Sequence, residues 1–236
     1  MVVSSRILVL CVNYNNDDQT VRFLTNCLNL RLAEILQLLV VDNSERADSA
    51  GSLASLFSGE SRVRVLKPGA NLGYFLGAAW GLKRYLASHA LTEWVIISNT
   101  DIAITDVDFL LKLFEFHSAF PHAMLAPAIL SCITGWDQNP FMERRPSKRR
   151  MHMYKWLFRY YPSYMLYQEL SKLKRNVRAL LPKQRYGSIN QVPRAIYAPH
   201  GSFILLHRNY FEAGGTLDYG AFLFGEEVFL AEMARR

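Results

Sequence analysis

Much is missing from these 236 residues, and each absence narrows what the chain can be. No apolar run approaches the roughly 18 residues needed to cross a bilayer. The opening MVVSSRILVLCVNYNN lacks a charged leader and a small-residue cleavage site, so its short apolar stretch reads as a strand and not as a signal peptide. Cysteine is scarce: Cys11, Cys27 and Cys132 are scattered without metal-ligand spacing, which predicts packing roles in a reducing, cytoplasmic compartment. Neither G-x-G-x-x-G nor a P-loop follows the first apolar run, where the sequence reads Asn13-Tyr14-Asn15-Asn16-Asp17; this argues against a dinucleotide-binding fold and a P-loop NTPase. Acid is almost absent from one stretch. Between Arg144 and Arg185 stand thirteen Lys/Arg and a single acid, Glu169, so the net charge of +7 belongs to that segment and the remainder is acidic. Such asymmetry predicts an anionic partner.

What is present is an alternation. Ile7–Val12, Leu36–Val41, Val63–Leu66, Trp94–Ile97 and Ala123–Leu130 read as strands. Helical spacing follows Asp17-Asp18, a short helix falls within 45–61, and further helices are predicted over Tyr74–Ser88 and Val107–Phe116. Strands alternating with helices predict an α/β fold with a mostly parallel sheet. Three strands end in polar clusters: Asn13-Tyr14-Asn15, Asp42-Asn43-Ser44 and Ser98-Asn99-Thr100-Asp101. Ligands of open α/β sheets bind at the carboxyl ends of strands. Asp42 suits hydrogen bonds from a base or ribose, Tyr14 suits stacking, and Asp101 suits a metal. Magnesium commonly takes only one or two protein carboxylates, substrate phosphates and water completing its shell. A lone Asx turn closing a strand is the plainer account of any one cluster; three at strand ends describe a ligand edge. Gly73, Gly77 and Gly81 lie four apart, which favours close helix packing over phosphate binding.

The segment 135–193 breaks the alternation. From Ser163 the stripe Leu166, Leu170, Leu173, Val177 and Leu180 predicts a helix ending before Pro182, with Lys172, Lys174, Arg175 and Arg178 on other faces. Trp156, Phe158, Tyr160, Tyr161 and Tyr164 lie just upstream. A cationic amphipathic helix with nearby aromatics suits an anionic membrane surface through residues 144–185. The alternatives are a helix packed on the core with a solvated basic face, or a nucleic-acid surface; no nucleic-acid-binding module is recognisable, and no nucleic-acid partner is expected. Near the end, Glu226 and Glu227 follow an aromatic run. They suit a general base beside a pocket or the acidic first turn of a helix, and the two are compatible.

Taken together and in order, several motifs resemble the family 2 glycosyltransferases with the GT-A fold, especially the rhamnosyltransferase-like branch. They are Val12-Asn13-Tyr14-Asn15, Val41-Asp42-Asn43-Ser44, Asn71-Leu72-Gly73, Ser98-Asn99-Thr100-Asp101, His200-Gly201-Ser202-Phe203, Gly214-Gly215-x-x-Asp218 and Phe224-Gly225-Glu226-Glu227-x-x-Leu230. The resemblance implies one GT-A domain over 1–236 with 135–193 as a basic insertion. It implies an inverting transfer of a sugar from a nucleotide-diphosphate sugar (UDP or dTDP) to a saccharide or lipid-linked acceptor in cell-surface polysaccharide synthesis, at the inner face of the membrane. Asn13, Tyr14, Asp42, Asn43, Asn71, Gly73 and Asn99 would serve the nucleotide, Asp101 would bind Mg2+ or Mn2+, and His200, Gly201 and Ser202 would meet the acceptor. The base would be one of the glutamates, Glu227 in preference to Glu226. Two departures stand out. Asn99 replaces the first acid of the usual metal motif, and relatives usually continue beyond the helix that follows Glu227, so the chain reads as a truncated or minimal member. A nucleotidyltransferase is the first alternative, but it would carry a glycine-rich basic loop where NYNND stands. The second is a non-catalytic nucleotide-sugar-binding or membrane-scaffold protein.

Overall fold

A computed structural model describes residues 6–157, 159–165, 167–169, 172, 192–220 and 225–235. These fall into two compact units, Met1–Pro127 with Pro199–Arg236, and Ala128–Ala198.

The first unit is a six-stranded sheet in the order β3-β2-β1-β4-β6-β5. Its strands are β1 (Ile7–Asn13), β2 (Leu36–Asp42), β3 (Val63–Leu66), β4 (Trp94–Ser98), β5 (Met124–Leu125) and β6 (Phe203–His207). β1 to β4 are parallel to one another, and β6 runs antiparallel to both its neighbours. The central strands β1, β2 and β4 are buried along nearly their whole length, as continuous Ile/Leu/Val runs require of strands covered on both faces. The parallel ladder brings the carboxyl ends of β1, β2 and β4 to one edge; Asn13 is the register partner of Asp42.

Helices cover the sheet: α1 (Asp17–Leu28), α2 (Ser49–Leu56), α3 (Tyr74–Leu86), α4 (Phe109–Ala119), α6 (Arg208–Glu212) and α7 (Glu226–Met233). α1 is capped by Asn16, whose side chain accepts from the Gln19 N–H, while Asp17 and Asp18 sit in the first turn. α3 packs on the sheet through its glycines. A Cβ on Gly81 would stand 2.5 Å from Val41 Cγ2, and one on Gly77 3.1 Å from Asn43 Nδ2. Leu10, Leu39, Val41, Ala78, Leu82, Ile97 and Leu206 form one buried cluster with Leu230 of α7. Each such side chain contributes roughly 1.5–3 kcal/mol by leaving water.

The predicted strand over Ala123–Leu130 shortens to Met124–Leu125. Only these two residues are register partners of β6 residues, and Pro127, which has no N–H to donate, stands two residues on. The antiparallel direction of β6 was not legible, because apolar periodicity carries no strand direction.

In the second unit, bridges join Leu130 to Asp137 and Met142 to Ala198. The Asp137 carboxylate accepts from the backbone N–H groups of Ile129 and Asn139, both at 2.9 Å. Helix α5 (Lys148–Leu157) buries no residue, and Trp156 is 64 % exposed. This helix lies upstream of the one predicted from Ser163. Among the described residues, 161–165, 167–169 and 172 are helical. The predicted stripe Leu166, Leu170, Leu173, Val177 and Leu180 lies outside the described residues.

Candidate active site

The edge is built from side chains that the ends of β1 and β2 bury. Asn13 is fully buried, and its Nδ2 stands 2.8 Å from Asp17 Oδ1, 3.0 Å from Asp42 Oδ1 and 3.2 Å from Ser44 Oγ. Its Oδ1 accepts from Thr20 Oγ1 at 2.9 Å and from the Asn16 N–H at 3.2 Å. One amide thus ties β1, β2 and the first turn of α1 together. Asp42 is fully buried as well. Its Oδ1 accepts from Asn13 and from the Ser44 N–H, while Oδ2 accepts no hydrogen bond among the described residues. Lys67 Nζ lies 3.8 Å from that Oδ2, outside hydrogen-bond range. A buried carboxylate oxygen without a donor is costly, and a donor from a ligand would relieve it.

Asn43 is buried and turned toward the next loop, where its Nδ2 donates to Gly73 O at 2.7 Å. Asn71 closes that loop by accepting from the Gly73 N–H at 2.9 Å. Gly73, with φ of 76°, turns the chain into α3 in a conformation that side chains disfavour. Tyr14 is half-exposed at the rim, 3.4 Å from Glu45.

The end of β4 supplies Asn99 and the exposed Asp101. The Asn99 N–H donates to Ser202 O at 2.8 Å, which fastens this turn to the loop 200–202. There the Ser202 N–H points at His200 Nδ1 from 3.3 Å and Ser202 Oγ lies 2.8 Å from the same nitrogen. Glu226 and Glu227 open α7 after Gly225, and Glu226 Oε2 is buried without a partner among the described residues. Glu227 packs directly on Gly201: a Cβ there would stand 2.7 Å from Glu227 Oε1. Burial pushes the Glu227 carboxyl above the ordinary glutamate range, and the neighbouring Glu226 adds to the rise. The His200 imidazole and backbone N–H groups, among them that of Gly201, pull the other way.

One phenol links the two sides. Tyr74 donates to Gly201 O at 2.9 Å. Its pKa is raised well above the ordinary value, by burial first and then by Cys11, Glu226, Glu227 and Asp101. The carboxylates of residues 101, 226 and 227 thus bear on a single hydroxyl although up to 126 residues separate them.

The glycosyl transferase family 2 model matches residues 8–212. The chain belongs to that family. A comparison with curated proteins found no match. Among solved structures, a mannosyltransferase from Pyrobaculum calidifontis, in complex with GDP-Man and Mn2+, superposes with a TM-score of 0.54 at 14 % identity, over 92 % of this chain and 49 % of that one. TarS of S. aureus (residues 1–349) gives a TM-score of 0.44 at 17 % identity, over 52 % of this chain and 35 % of that one. The chain therefore spans about half the length of the mannosyltransferase and about a third of that TarS chain. The fold is the GT-A fold: a mostly parallel sheet with flanking helices.

For a family 2 domain, the metal-donor set is spare. Among the described residues no group of three or more His, Cys, Asp or Glu side chains gathers to hold an ion. Asp101 is the one carboxylate at the end of β4, which fits a divalent ion whose remaining ligands are diphosphate oxygens and water. Two functional candidates escape motif reading, Lys67 beside Asp42 and Tyr74 beside Gly201. A tyrosine opening an apolar helix reads as core, and only the fold brings it to a loop 127 residues away.

Proposed function

We propose that this chain transfers a sugar, with inversion, from a nucleoside-diphosphate sugar (UDP or dTDP) to a hydroxyl of a saccharide or lipid-linked acceptor in cell-surface polysaccharide synthesis. The observation that carries this reading is that the turn bearing Asp101 and the helix start bearing Glu227 meet at one loop: the Asn99 N–H donates to Ser202 O at 2.8 Å, and Glu227 packs on Gly201. A metal-bound leaving group and a proton acceptor serving one transfer require carboxylates brought together in this way.

In this mechanism Asp42 receives the N–H or hydroxyl of the nucleoside through Oδ2, which accepts no hydrogen bond among the described residues, and Asn13 keeps Asp42 in place. Asn43 holds the Asn71–Gly73 loop against the end of β2, and Tyr14 offers a ring at the rim. Asn99 positions the turn that carries Asp101. Asp101 would hold Mg2+ or Mn2+ together with diphosphate oxygens, and the ion would supply charge neutralisation on the leaving diphosphate. The mannosyltransferase that shares the fold was solved with such a pair, GDP-Man and Mn2+. Glu227 takes the proton from the acceptor hydroxyl. The acceptor oxygen bonds to the anomeric carbon as the bond to the diphosphate oxygen breaks, and the electron pair leaves on the diphosphate. His200 and Ser202 flank the acceptor. Asn99 in place of an acid supports the rhamnosyltransferase-like branch.

Thermal shift with UDP, dTDP and GDP, with and without Mn2+, tests the donor site. Stabilisation by one of them, increased by Mn2+ and losing that increment in Asp101→Ala, is the expected result. No response to any nucleotide overturns the reading.

We also infer that 135–193 is an insertion that meets an anionic membrane. Lys148, Arg149, Arg150 and Lys155 share α5 with the exposed Met151, Met153 and Trp156, and Ile133 is 95 % exposed in the same unit. Among the described residues no helix is long and apolar enough to cross a membrane, so the contact would be peripheral. Flotation with anionic vesicles, lost with neutral ones, is expected; failure to float removes this part of the reading.

A further inference from the structure

We propose that Tyr74 is a positioning residue for the proton acceptor: its hydroxyl fixes Gly201, and Gly201 fixes the Glu227 carboxylate. The proposal rests on Glu227 being the base. Three elements far apart in sequence meet here. Tyr74 is the first residue of α3, directly after the backward turn at Gly73, so its ring starts from the anchored face of that helix. Its hydroxyl reaches Gly201 O at 2.9 Å. The loop is held from its other side by the Asn99 N–H on Ser202 O at 2.8 Å. Residues 200–202 are therefore clamped between α3 and the end of β4.

The clamp matters because of what leans on it. A Cβ at Gly201 would stand 2.7 Å from Glu227 Oε1, so any side chain there would displace that carboxylate. The Gly201 backbone N–H is one of the few groups that favour the ionised Glu227. A shift of the loop by a fraction of an ångström would thus move both the position of the base and its charge state. Tyr74 cannot itself serve as base: burial and the three carboxylates keep its phenol protonated, and so keep it a donor. Cys11, Glu226, His200 and Asp101 are the other charged or titratable groups acting on this hydroxyl or on Glu227.

The test compares Tyr74→Phe and Gly201→Ala with Glu227→Gln in the full chain, by steady-state transfer kinetics and direct nucleotide titration. Tyr74→Phe keeps the ring and removes the clamp. Its kcat should fall by about 10- to 100-fold, as misplacement of a reacting group by about an ångström does. Donor KM and nucleotide Kd should stay within about twofold of the parent. The acid limb of its kcat–pH profile should move to higher pH, because the released Gly201 backbone favours the ionised Glu227 less. Gly201→Ala should show the same split without touching the phenol, so the proposal survives a poorly folding Tyr74 variant. Parental kcat and pH limb in Tyr74→Phe, or equal losses in kcat and nucleotide affinity, overturn it. If Glu227→Gln is fully active, the base assignment itself is wrong. If Glu227→Gln is inactive while Tyr74→Phe is unimpaired, only the positioning role falls.

Discussion

The two ends of the site hold their carboxylates in opposite ways. At the proposed nucleotide end, Asp42 is fully buried; Asn13 and the Ser44 N–H bond it directly, and Asp17, Thr20 and Ser49 complete a cage of hydrogen bonds from β1, α1, α2 and the turn after β2. At the other end, Glu227 lies on the first turn of a helix. Its position depends on one glycine and one loop, and burial raises its pKa more than its donors lower it. A carboxylate that has only to stay in place is held by donors on one oxygen. The carboxyl proposed to accept a proton is partly dried instead.

The largest effect that would break this contrast is expected at Glu227. Glu227→Gln should lower transfer by roughly 10²- to 10⁴-fold, the range in which a general base acts, while nucleotide affinity is kept. The same variant has a stability signature with a definite sign. The folded-state pKa of Glu227 is raised above the ordinary value of 4.5, so ionising it opposes folding as pH climbs through that raised value. Glutamine mimics the protonated form. Glu227→Gln should therefore melt higher than the parent at pH 7, and the gap should close below about pH 4.5, where the parent's carboxyl is protonated in both states. A parent that melts higher at pH 7 would contradict the strained setting of this residue.

Next in size is the cage. Asn13→Ala removes the amide that holds Asp42 and leaves a buried carboxylate with one backbone donor. The cost should be about 1–3 kcal/mol in stability, read by chemical denaturation, with a matching loss of nucleotide affinity. Unlike Glu227→Gln, it should leave kcat at saturating donor near the parental value. A variant with parental stability would show that Lys67 and Ser44 alone suffice to hold Asp42.

The placement of the proposed nucleotide end was legible in sequence and that of the proposed base end only in part, for a physical reason. Asn13 and Asp42 stand directly after apolar runs and Asn99 one residue beyond one, and a parallel sheet brings every such end to one edge, so periodicity alone delivers them. The role of Asn13 was not legible: adjacent to the rim in sequence, it is buried and acts through Asp42. Asn43 likewise turns to Gly73, away from the open Oδ2 of Asp42. Glu227 was reached by motif resemblance, and nothing local distinguishes it from an ordinary helix-opening acid. Tyr74 was missed because its partner lies 127 residues on, in the loop that leads into the antiparallel strand β6, whose direction no hydrophobic pattern encodes. Helix α5 was missed for a different reason. It has no buried face, and hydrophobic periodicity finds helices by the face they bury.

The smallest effect concerns α3, the element common to both ends: it starts at Tyr74 beside the base and rests on β1 and β2 beneath the cage. Gly81→Ala adds a methyl that would sit 2.5 Å from Val41 Cγ2, a stiff β-branched side chain in a buried strand. Overpacking of this kind costs about 1–3 kcal/mol, and the gain in helix propensity returns about 1 kcal/mol. A net loss of about 1 kcal/mol, near 2–4 °C in Tm for a chain of this size, is the expected balance. If α3 moves outward as a body to make room, the Tyr74 hydroxyl withdraws from Gly201, and Gly81→Ala should also lower kcat with nucleotide affinity kept. If Val41 yields locally, only Tm changes. Reading kcat and Tm on this one variant therefore tells whether the two ends of the site are mechanically joined through the helix or merely share it.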